Sequence, residues 1–360
     1  SGIVDSVSTR HAATFTVARR LAAAGCLVLV PTLLSRDCTA SGHPRVGYTN
    51  EPHREFLYRQ AFTAGRHVIG YEVQKVLASV DLLQRFEDRK IPLGVAGIGE
   101  GGLLAFYSAA VDERIDVALV CGYFGPREQV WNEPIYRNVW RLLTEFGDAE
   151  LARLIAPRRL VVEACATVEI DGPPPAAGTQ RTSGAPGRIR SCALNEVREE
   201  WRRASDVYRQ LKRSDHFVLA ISGEHGEGPA GSQGALTALA DGLELPTTRR
   251  AAITSKGVDK WTSDSGSETH LQTKTPINET AAAKLREQRQ MAELQAHVQA
   301  LLRRSPAVRD QRWRVSDSAD ASRTFTDWMR KRPTLRQSVH ENLIGRIERP
   351  RAALNVKSRL

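Results

Sequence analysis

A glycine-rich segment carries the strongest chemical signal in this sequence. It reads Pro92-Leu-Gly-Val-Ala-Gly-Ile-Gly-Glu-Gly-Gly-Leu-Leu-Ala105, a short apolar run followed by glycines and then by small and apolar residues. This order predicts a buried strand, a sharp turn and a helix. Two kinds of site use a turn of this shape, a cradle for a dinucleotide phosphate and an elbow that presents a nucleophile.

The dinucleotide site requires G-x-G-x-x-G, and Gly97, Gly99 and Gly102 have that spacing. It also requires an acidic residue at the end of the next strand, where the carboxylate holds a ribose. Here the next predicted strand, Ile115–Cys121, ends without a carboxylate, and acidic residues lie only around its beginning. An NAD-binding oxidoreductase stays an alternative, and this absence counts against it.

The nucleophile elbow has the form G-x-S-x-G, and Gly97-Ile-Gly99-Glu-Gly101 matches its frame except at the centre. Gly99 stands where the serine should be. Since glycine has no side chain, an acyl-enzyme cannot form at this position. The backbone N–H of Glu100 would take the oxyanion position, and its carboxylate would complement the dipole at the start of the helix. The segment therefore predicts the fold of a hydrolase without its serine chemistry.

The elements around this turn alternate between helices and strands up to about residue 246. The predicted strands are short and continuously apolar: Cys26–Pro31, Pro92–Gly97, Ile115–Cys121, Leu160–Ala164 and Phe217–Ser222. The predicted helices cover about 9–24, 60–86, 101–111, 134–155, 194–213 and 231–243, and residues 172–192 form a surface loop rich in Gly and Pro. This alternation predicts an α/β fold whose mostly parallel sheet is covered by helices on both faces.

Over roughly residues 8–246 the chain resembles the α/β-hydrolase superfamily, and within it the dienelactone hydrolase and acetyl xylan esterase-like branch. The matching segments are Gly25–Pro31 (the fourth strand), Arg66–Leu77 (the helix before the elbow strand), the elbow itself, Asp112–Asp116, Ile155–Leu160 and Ser222–Gly226. The first strands of the superfamily have no counterpart before the helix at 9–24. We therefore expect an internal piece of a longer protein.

The resemblance implies a triad in the chain order Gly99–Glu169–His225. His225 lies where the family places its catalytic histidine. Small or apolar residues fill 166–168, the usual place of the acid, so that Glu169 is the nearest carboxylate. Glu163 lies within the preceding strand and should point elsewhere. The nucleophile position is degenerate in this triad.

Each candidate residue also has a structural interpretation. His225 could be a loop histidine rather than a general base, because it has no serine to deprotonate. Glu100 could simply cap its helix, or it could join His225 and Glu224 in a weak metal or water-activating cluster. Cys121 could replace the nucleophile, but a buried thiol is favoured because no neighbour in the sequence would lower its pKa. The five cysteines have no C-x-x-C spacing and predict neither a disulfide framework nor a zinc site.

The positive charge of the chain is concentrated in its C-terminal third. Residues 1–246 carry a net charge of −1 and residues 247–360 a net charge of +11. We therefore predict an α/β-hydrolase-like domain over 1–246, a polar linker over 247–278 and a basic helical appendage over 279–360. Acidic residues alternate with the basic ones, which favours a solvated helix face over nucleic-acid binding. No apolar run is long enough to span a bilayer, so a membrane protein is excluded.

We expect this domain to be a non-catalytic structural or binding part of a larger acyl or carbohydrate-ester hydrolase. Its partner would be a second hydrolase domain beyond Leu360, its ligand a small ester or carbohydrate, and no cofactor is expected. The alternative is an active esterase that uses a non-serine nucleophile or a metal-bound water, for which Glu100, Glu169 and His225 must converge. We expect a soluble protein; its compartment stays open, and export through a signal peptide outside this chain is one alternative.

Overall fold

The computed structural model describes residues 12–43, 45, 47–85, 91–254, 279–314 and 321–345. The chain divides into two compact units, Ser1–Ala300 and Leu301–Leu360. The strands of the first unit are, in chain order, β1 (Gly42–His43), β2 (Gly47–Tyr48), β3 (Gly94–Ile98), β4 (Val117–Cys121), β5 (Arg159–Ala164), β6 (Ile170–Asp171), β7 (Arg188–Ile189) and β8 (Phe217–Ile221).

The helices follow the predicted alternation, except that the single helix predicted over 134–155 is wrong, because this range contains a 3-10 turn and two short helices instead. They are α1 (Ala12–Ala23), α2 (His53–Phe62), α3 (Val68–Arg85), α4 (Glu100–Val111), α5 (Leu142–Glu145), α6 (Asp148–Ile155), α7 (Leu194–Gln210), α8 (Gln233–Gly242), α9 (Thr247–Thr254), α10 (Glu279–Trp313) and α11 (Ala321–Ser338). The predicted helix over 60–86 is divided into α2 and α3 at Gly65, whose φ of 69° lies in the left-handed region.

The central sheet has four parallel strands in the order β3-β4-β5-β8. One row across it pairs Ala96 with Leu119, Leu119 with Val161 and Val161 with Val218. All residues of β4 are buried. Four of the predicted strands and the parallel sheet between helices are thus confirmed.

Two apolar layers cover the two faces of this sheet. Ala118 and Val120 of β4 belong to one cluster, which also contains side chains of α3, α4, α6 and α7. Val117 and Leu119 belong to the other cluster, together with side chains of α1, α8 and α9. Because successive side chains of a strand point to opposite faces, one apolar strand supplies both layers.

The fifth predicted strand, Cys26–Pro31, is wrong. Residues 26–31 form no strand in the structure, and Leu27 is 59 % exposed. An apolar run becomes a strand only if its backbone joins a ladder, and Pro31 has no N–H to donate to one. The segment stays irregular beside the helices, while Leu33 and Leu34, which follow it, are buried. Residues 172–192 are a loop, apart from β7, which pairs with β6 in an antiparallel ladder.

The segment predicted as a linker begins with a helix. Ile253 of α9 is fully buried against the α/β body, and residues 255–278 lie outside the described residues, as do the last residues 346–360. The first turns of α10 also pack in the first unit, where Met291 and Val298 are buried and the Gln290 side-chain amide donates to the carbonyl of Thr32 at 2.9 Å. The predicted boundaries at 246 and 278 stay predictions.

The second unit contains the end of α10, α11 and a π-helical turn over Val339–Ile344. Pro333 lies inside α11, which continues through it. Among the described helices, none combines the length and the apolar character needed to cross a membrane.

Candidate functional site

The turn between β3 and α4 has the geometry of a nucleophile elbow. Gly99 begins the helix with φ 55° and ψ −112°, a conformation that only glycine adopts at little cost. The backbone N–H of Gly99 donates to the carbonyl of Cys121 at 2.9 Å, which ties the turn to β4. A Cβ on Gly97 would lie 2.0 Å from the carbonyl oxygen of Gly101, so the strand and helix approach too closely for any side chain there.

A threonine lies over the vertex of this turn. A Cβ on Gly99 would point at Thr167, with its Cβ and Cγ2 at 3.8 and 3.9 Å. The backbone N–H of Thr167 donates to Oγ of Ser191 at 3.0 Å, and the two hydroxyl oxygens are 3.3 Å apart. Thr167 also fits against Gly122, where a Cβ would overlap its methyl group at 2.0 Å. The sequence placed residue 167 at the position of the catalytic acid, but it did not indicate that this side chain would cover the elbow.

The Glu100 side chain is the centre of a buried ion network. Its Oε1 accepts from Nη2 of Arg54 at 2.8 Å, and its Oε2 accepts from Nη2 of Arg137 at 2.7 Å and from Nη2 of Arg36 at 3.4 Å. Burial favours the neutral acid, but the three guanidinium groups outweigh it and hold the pKa of Glu100 far below its ordinary value. The Glu100 side chain therefore does more than cap a helix, and it does not join His225 and Glu224.

This network connects five segments of the first unit. Arg54, on α2, pairs with both carboxylate oxygens of Glu72 on α3, at 2.9 and 2.6 Å, and donates to the carbonyl of Leu34 at 3.1 Å. Arg137 also pairs with Glu133 at 2.9 Å. The sequence did not reveal these partners, because the three arginines lie 37 to 64 residues from Glu100 and only the fold brings them together. The geometry indicates a structural support for the elbow.

The predicted acid and histidine have other partners. His225 follows β8 on an exposed loop; its side chain is 78 % exposed and its Nε2 lies 4.0 Å from Glu224. Glu169 is 54 % exposed and pairs with Arg190 at 3.6 Å. Within the described residues, no hydrogen bond or ion pair joins Glu169 to His225. The two side chains are not held as an acid–histidine pair in this structure.

Glu163 points away from the elbow, as the sequence predicted. Its carboxylate is buried and accepts from the backbone N–H groups of Gly231 and Ser232, at 2.8 and 2.7 Å. These groups lie at the start of α8, where a negative charge is favourable. The carboxylate fixes the loop that carries His225 to the end of β5.

Cys121 is a buried thiol at the end of β4. A hydrogen bond with Cys165, burial and the nearby charge of Glu163 raise its pKa well above the ordinary value. A protonated thiol is a poor nucleophile, so the geometry favours the structural interpretation of this cysteine. Across the residues for which side chains are described, no three His, Cys, Asp or Glu side chains are grouped so that they could hold a metal ion.

A cavity of about 340 Å³ lies near the elbow. Arg36 and Tyr136 form one side, and Val168, Ile170 and the prolines 173–175 form another. Arg36 also contacts Glu100, and Val168 follows Thr167 in the chain, which places the cavity next to the covered turn. Nε of Arg36 donates to the hydroxyl of Tyr136 at 3.2 Å. The walls are mainly apolar with a few fixed polar groups, as in small-molecule sites.

Comparison with known proteins supports the family resemblance. The model of the dienelactone hydrolase family matches residues 5–138, a range that contains the elbow and three arginines of its ion network. No curated protein and no solved structure gives a significant match to the chain. Over residues 5–138 this chain therefore matches the dienelactone hydrolase family, which is part of the α/β-hydrolase superfamily, as the sequence motifs indicated.

Proposed function

We propose that the first unit is a hydrolase-like domain that binds a small ligand and does not form an acyl-enzyme. The observation that carries this proposal is the elbow itself. The turn keeps its strained backbone, with φ 55° at the vertex, while the vertex residue is Gly99 and supplies no nucleophilic atom. The domain would serve as a structural or binding part of a larger acyl or carbohydrate-ester hydrolase.

The groups around the vertex do not replace the missing serine. The thiol of Cys121 is buried and its pKa is raised. The hydroxyls of Thr167 and Ser191 bond to each other, and neither is hydrogen-bonded to a histidine or a carboxylate among the described residues. A hydroxyl without an adjacent base is a weak nucleophile at neutral pH. This supports binding without covalent catalysis.

The cavity beside Arg36 is the candidate ligand site. Its volume of about 340 Å³ lies within the range of small-molecule sites. Arg36 and Tyr136 offer donors that could recognise the carbonyl of an ester or the hydroxyls of a sugar. We infer a small ester or carbohydrate ligand, of the kind that an acetyl xylan esterase-like relative would handle.

An active esterase with a different nucleophile would need Glu100, Glu169 and His225 in one pocket. Glu100 is instead held by arginines, Glu169 pairs with Arg190, and His225 lies near Glu224. These separate partners favour the binding domain over the esterase.

Hydrolysis of p-nitrophenyl acetate by the full chain tests the loss of catalysis. We expect no turnover above buffer and no labelling by a fluorophosphonate probe. The variants His225→Ala and Glu224→Ala form a matched pair, since both side chains are exposed on one loop. Turnover that is lost in His225→Ala and kept in Glu224→Ala would overturn the proposal.

Calorimetric titration with an acetylated xylo-oligosaccharide tests the ligand site. We expect binding that is lost when Val168→Trp fills the cavity. Val111→Trp is the control, because Val111 is exposed and does not line this cavity. Equal binding by the two variants would exclude this cavity as the ligand site.

A further inference from the structure

The second unit contains an apolar groove of its own. Its cavity measures about 360 Å³. Trp313 and Trp328 form one part, with ring centroids 6.1 Å apart and planes inclined at 41°, and Leu335 and Val339 form another. The lining side chains come from the end of α10, from α11 and from the π-helical turn.

The apolar side chains of this groove are uncovered. Trp313 is 45 % exposed and Val339 is 39 % exposed, while Ile344, which also lines the groove, is 69 % exposed. Isolated apolar residues at a surface are ordinary, but a contiguous group around a cavity marks an interaction site. The groove has the size of one bulky apolar side chain or two smaller ones.

Arg332 and Arg336 stand at this groove without a charged partner. Within the described residues neither forms an ion pair or a hydrogen bond, and Nε of Arg332 is buried with no acceptor. The neighbouring Arg330, in contrast, pairs with Asp327 at 3.0 Å. A buried donor without an acceptor is costly, so an incoming carboxylate would be stabilised here.

The surrounding helices reinforce this preference. Residues 301–314 and 321–345 carry ten Lys and Arg against three Asp and Glu, a net charge of +7. A second copy of this surface would bring like charges together, which disfavours self-association through the groove. Single-stranded nucleic acid is bound by flat aromatic platforms together with cations along its backbone. Here aliphatic side chains line the groove together with the aromatic rings, which suits an apolar peptide side chain instead.

We propose that this groove binds an acidic amphipathic helix of a partner protein. One apolar face of that helix would insert between Trp328 and Leu335, and its carboxylates would pair with Arg332 and Arg336. Recognition of this kind combines apolar anchors in a groove with charge complementarity at the rim. The inference does not depend on the function proposed for the first unit.

Fluorescence polarisation with a labelled synthetic peptide tests the proposal on the full chain. The probe is a helical peptide with Leu at positions i, i+3, i+4 and i+7 and Glu elsewhere. We expect saturable binding that weakens about tenfold or more in Arg332→Glu/Arg336→Glu. The matched control is Arg198→Glu/Arg202→Glu on the exposed face of α7, which should leave binding unchanged.

Leu335→Asp should weaken binding to a similar degree, and circular dichroism checks that this variant keeps its helices. A Glu-Ala peptide of equal charge should bind more than about tenfold less tightly, because it offers no apolar anchor. Equal binding of the two peptides would overturn the proposal. So would preferential binding of single-stranded DNA or of anionic vesicles, or a dimer in sedimentation that Leu335→Asp dissociates.

Discussion

Substitution of Gly99 by serine restores the consensus of the elbow and examines its backbone directly. The new Cβ would lie 3.8 Å from the nearest atom of Thr167, an ordinary contact that requires no displacement. The cost therefore comes from the backbone, since a non-glycine residue at φ 55° loses about 1–2 kcal/mol. For a unit of this size, that corresponds to a decrease in Tm of about 2–8 °C.

Gly97→Ser is the matched comparison two residues earlier. There the new Cβ would lie 2.0 Å from the backbone oxygen of Gly101, which cannot move without separating β3 from α4. We expect destabilisation of about 4 kcal/mol or more, or failure to fold. Thermal and urea unfolding of both variants and the parent measures the difference. Equal destabilisation by the two substitutions would refute the assignment of the turn as an elbow.

The same variant tests the proposed function. The serine hydroxyl would face Thr167, whereas His225 is largely exposed and is not bonded to Glu169. Without an oriented base, we expect folded Gly99→Ser to give no fluorophosphonate labelling. Labelling that disappears on further substitution His225→Ala would show that the loop still delivers a base to the elbow.

Three further predictions concern buried groups. Arg137→Ala removes a buried partner of Glu100 and should lower the free energy of unfolding, measured in urea, by about 3–5 kcal/mol. Arg141→Ala breaks an exposed pair and should lower it by less than about 1 kcal/mol. Similar losses in the two variants would contradict the importance of the network. Burial raises the pKa of Asp148 to about 7, so the folded chain holds a proton that the unfolded chain releases near pH 4. This contribution to stability is present below pH 4 and is lost as the pH rises to about 7. Asp148→Asn should remove this part of the pH dependence of the free energy of unfolding. An unchanged slope of that free energy between pH 4 and pH 7 would contradict the prediction. The lowered pKa of Glu100 gives stability the opposite pH dependence. The stabilisation from the ionised Glu100 is present at neutral pH and is lost only as the pH falls below the ordinary pKa of a glutamate. Finally, iodoacetamide at pH 8 should leave Cys121 unmodified in the native chain and should alkylate it in urea, and peptide mass spectrometry measures the difference. Alkylation of Cys121 in the native chain would indicate an accessible thiolate and contradict the prediction.

The ion network around Glu100 suggests why the elbow keeps its shape without a nucleophile. The carboxylate is attached directly to the turn, and Arg54 and Arg137 connect it to α2 and to the segment after β4. Replacing any member would leave a buried charge without a partner, which is more costly than the loss of a surface pair. The network therefore supports the backbone of the turn whichever residue stands at its vertex.

The amino-acid sequence alone determined the parallel sheet, the position of the elbow and the identity of the vertex residue. These features depend on local pattern: short apolar runs between amphipathic helices predict buried parallel strands, and closely spaced glycines predict the turn. Gly99 supplies no side chain at the vertex whatever the fold. The apolar run Cys26–Pro31 shows the limit of such patterns, because a strand also needs a partner that the sequence does not reveal.

The tertiary structure decided which side chains surround the turn. Thr167 over the vertex and the arginines on Glu100 are distant in sequence, and no periodicity relates them to the elbow. The same holds for His225 and Glu169, whose order along the chain fits a triad while their contacts lie elsewhere. Local structure follows from the propensities of neighbouring residues, whereas a site requires several segments to meet, and that meeting depends on the packing of the whole core.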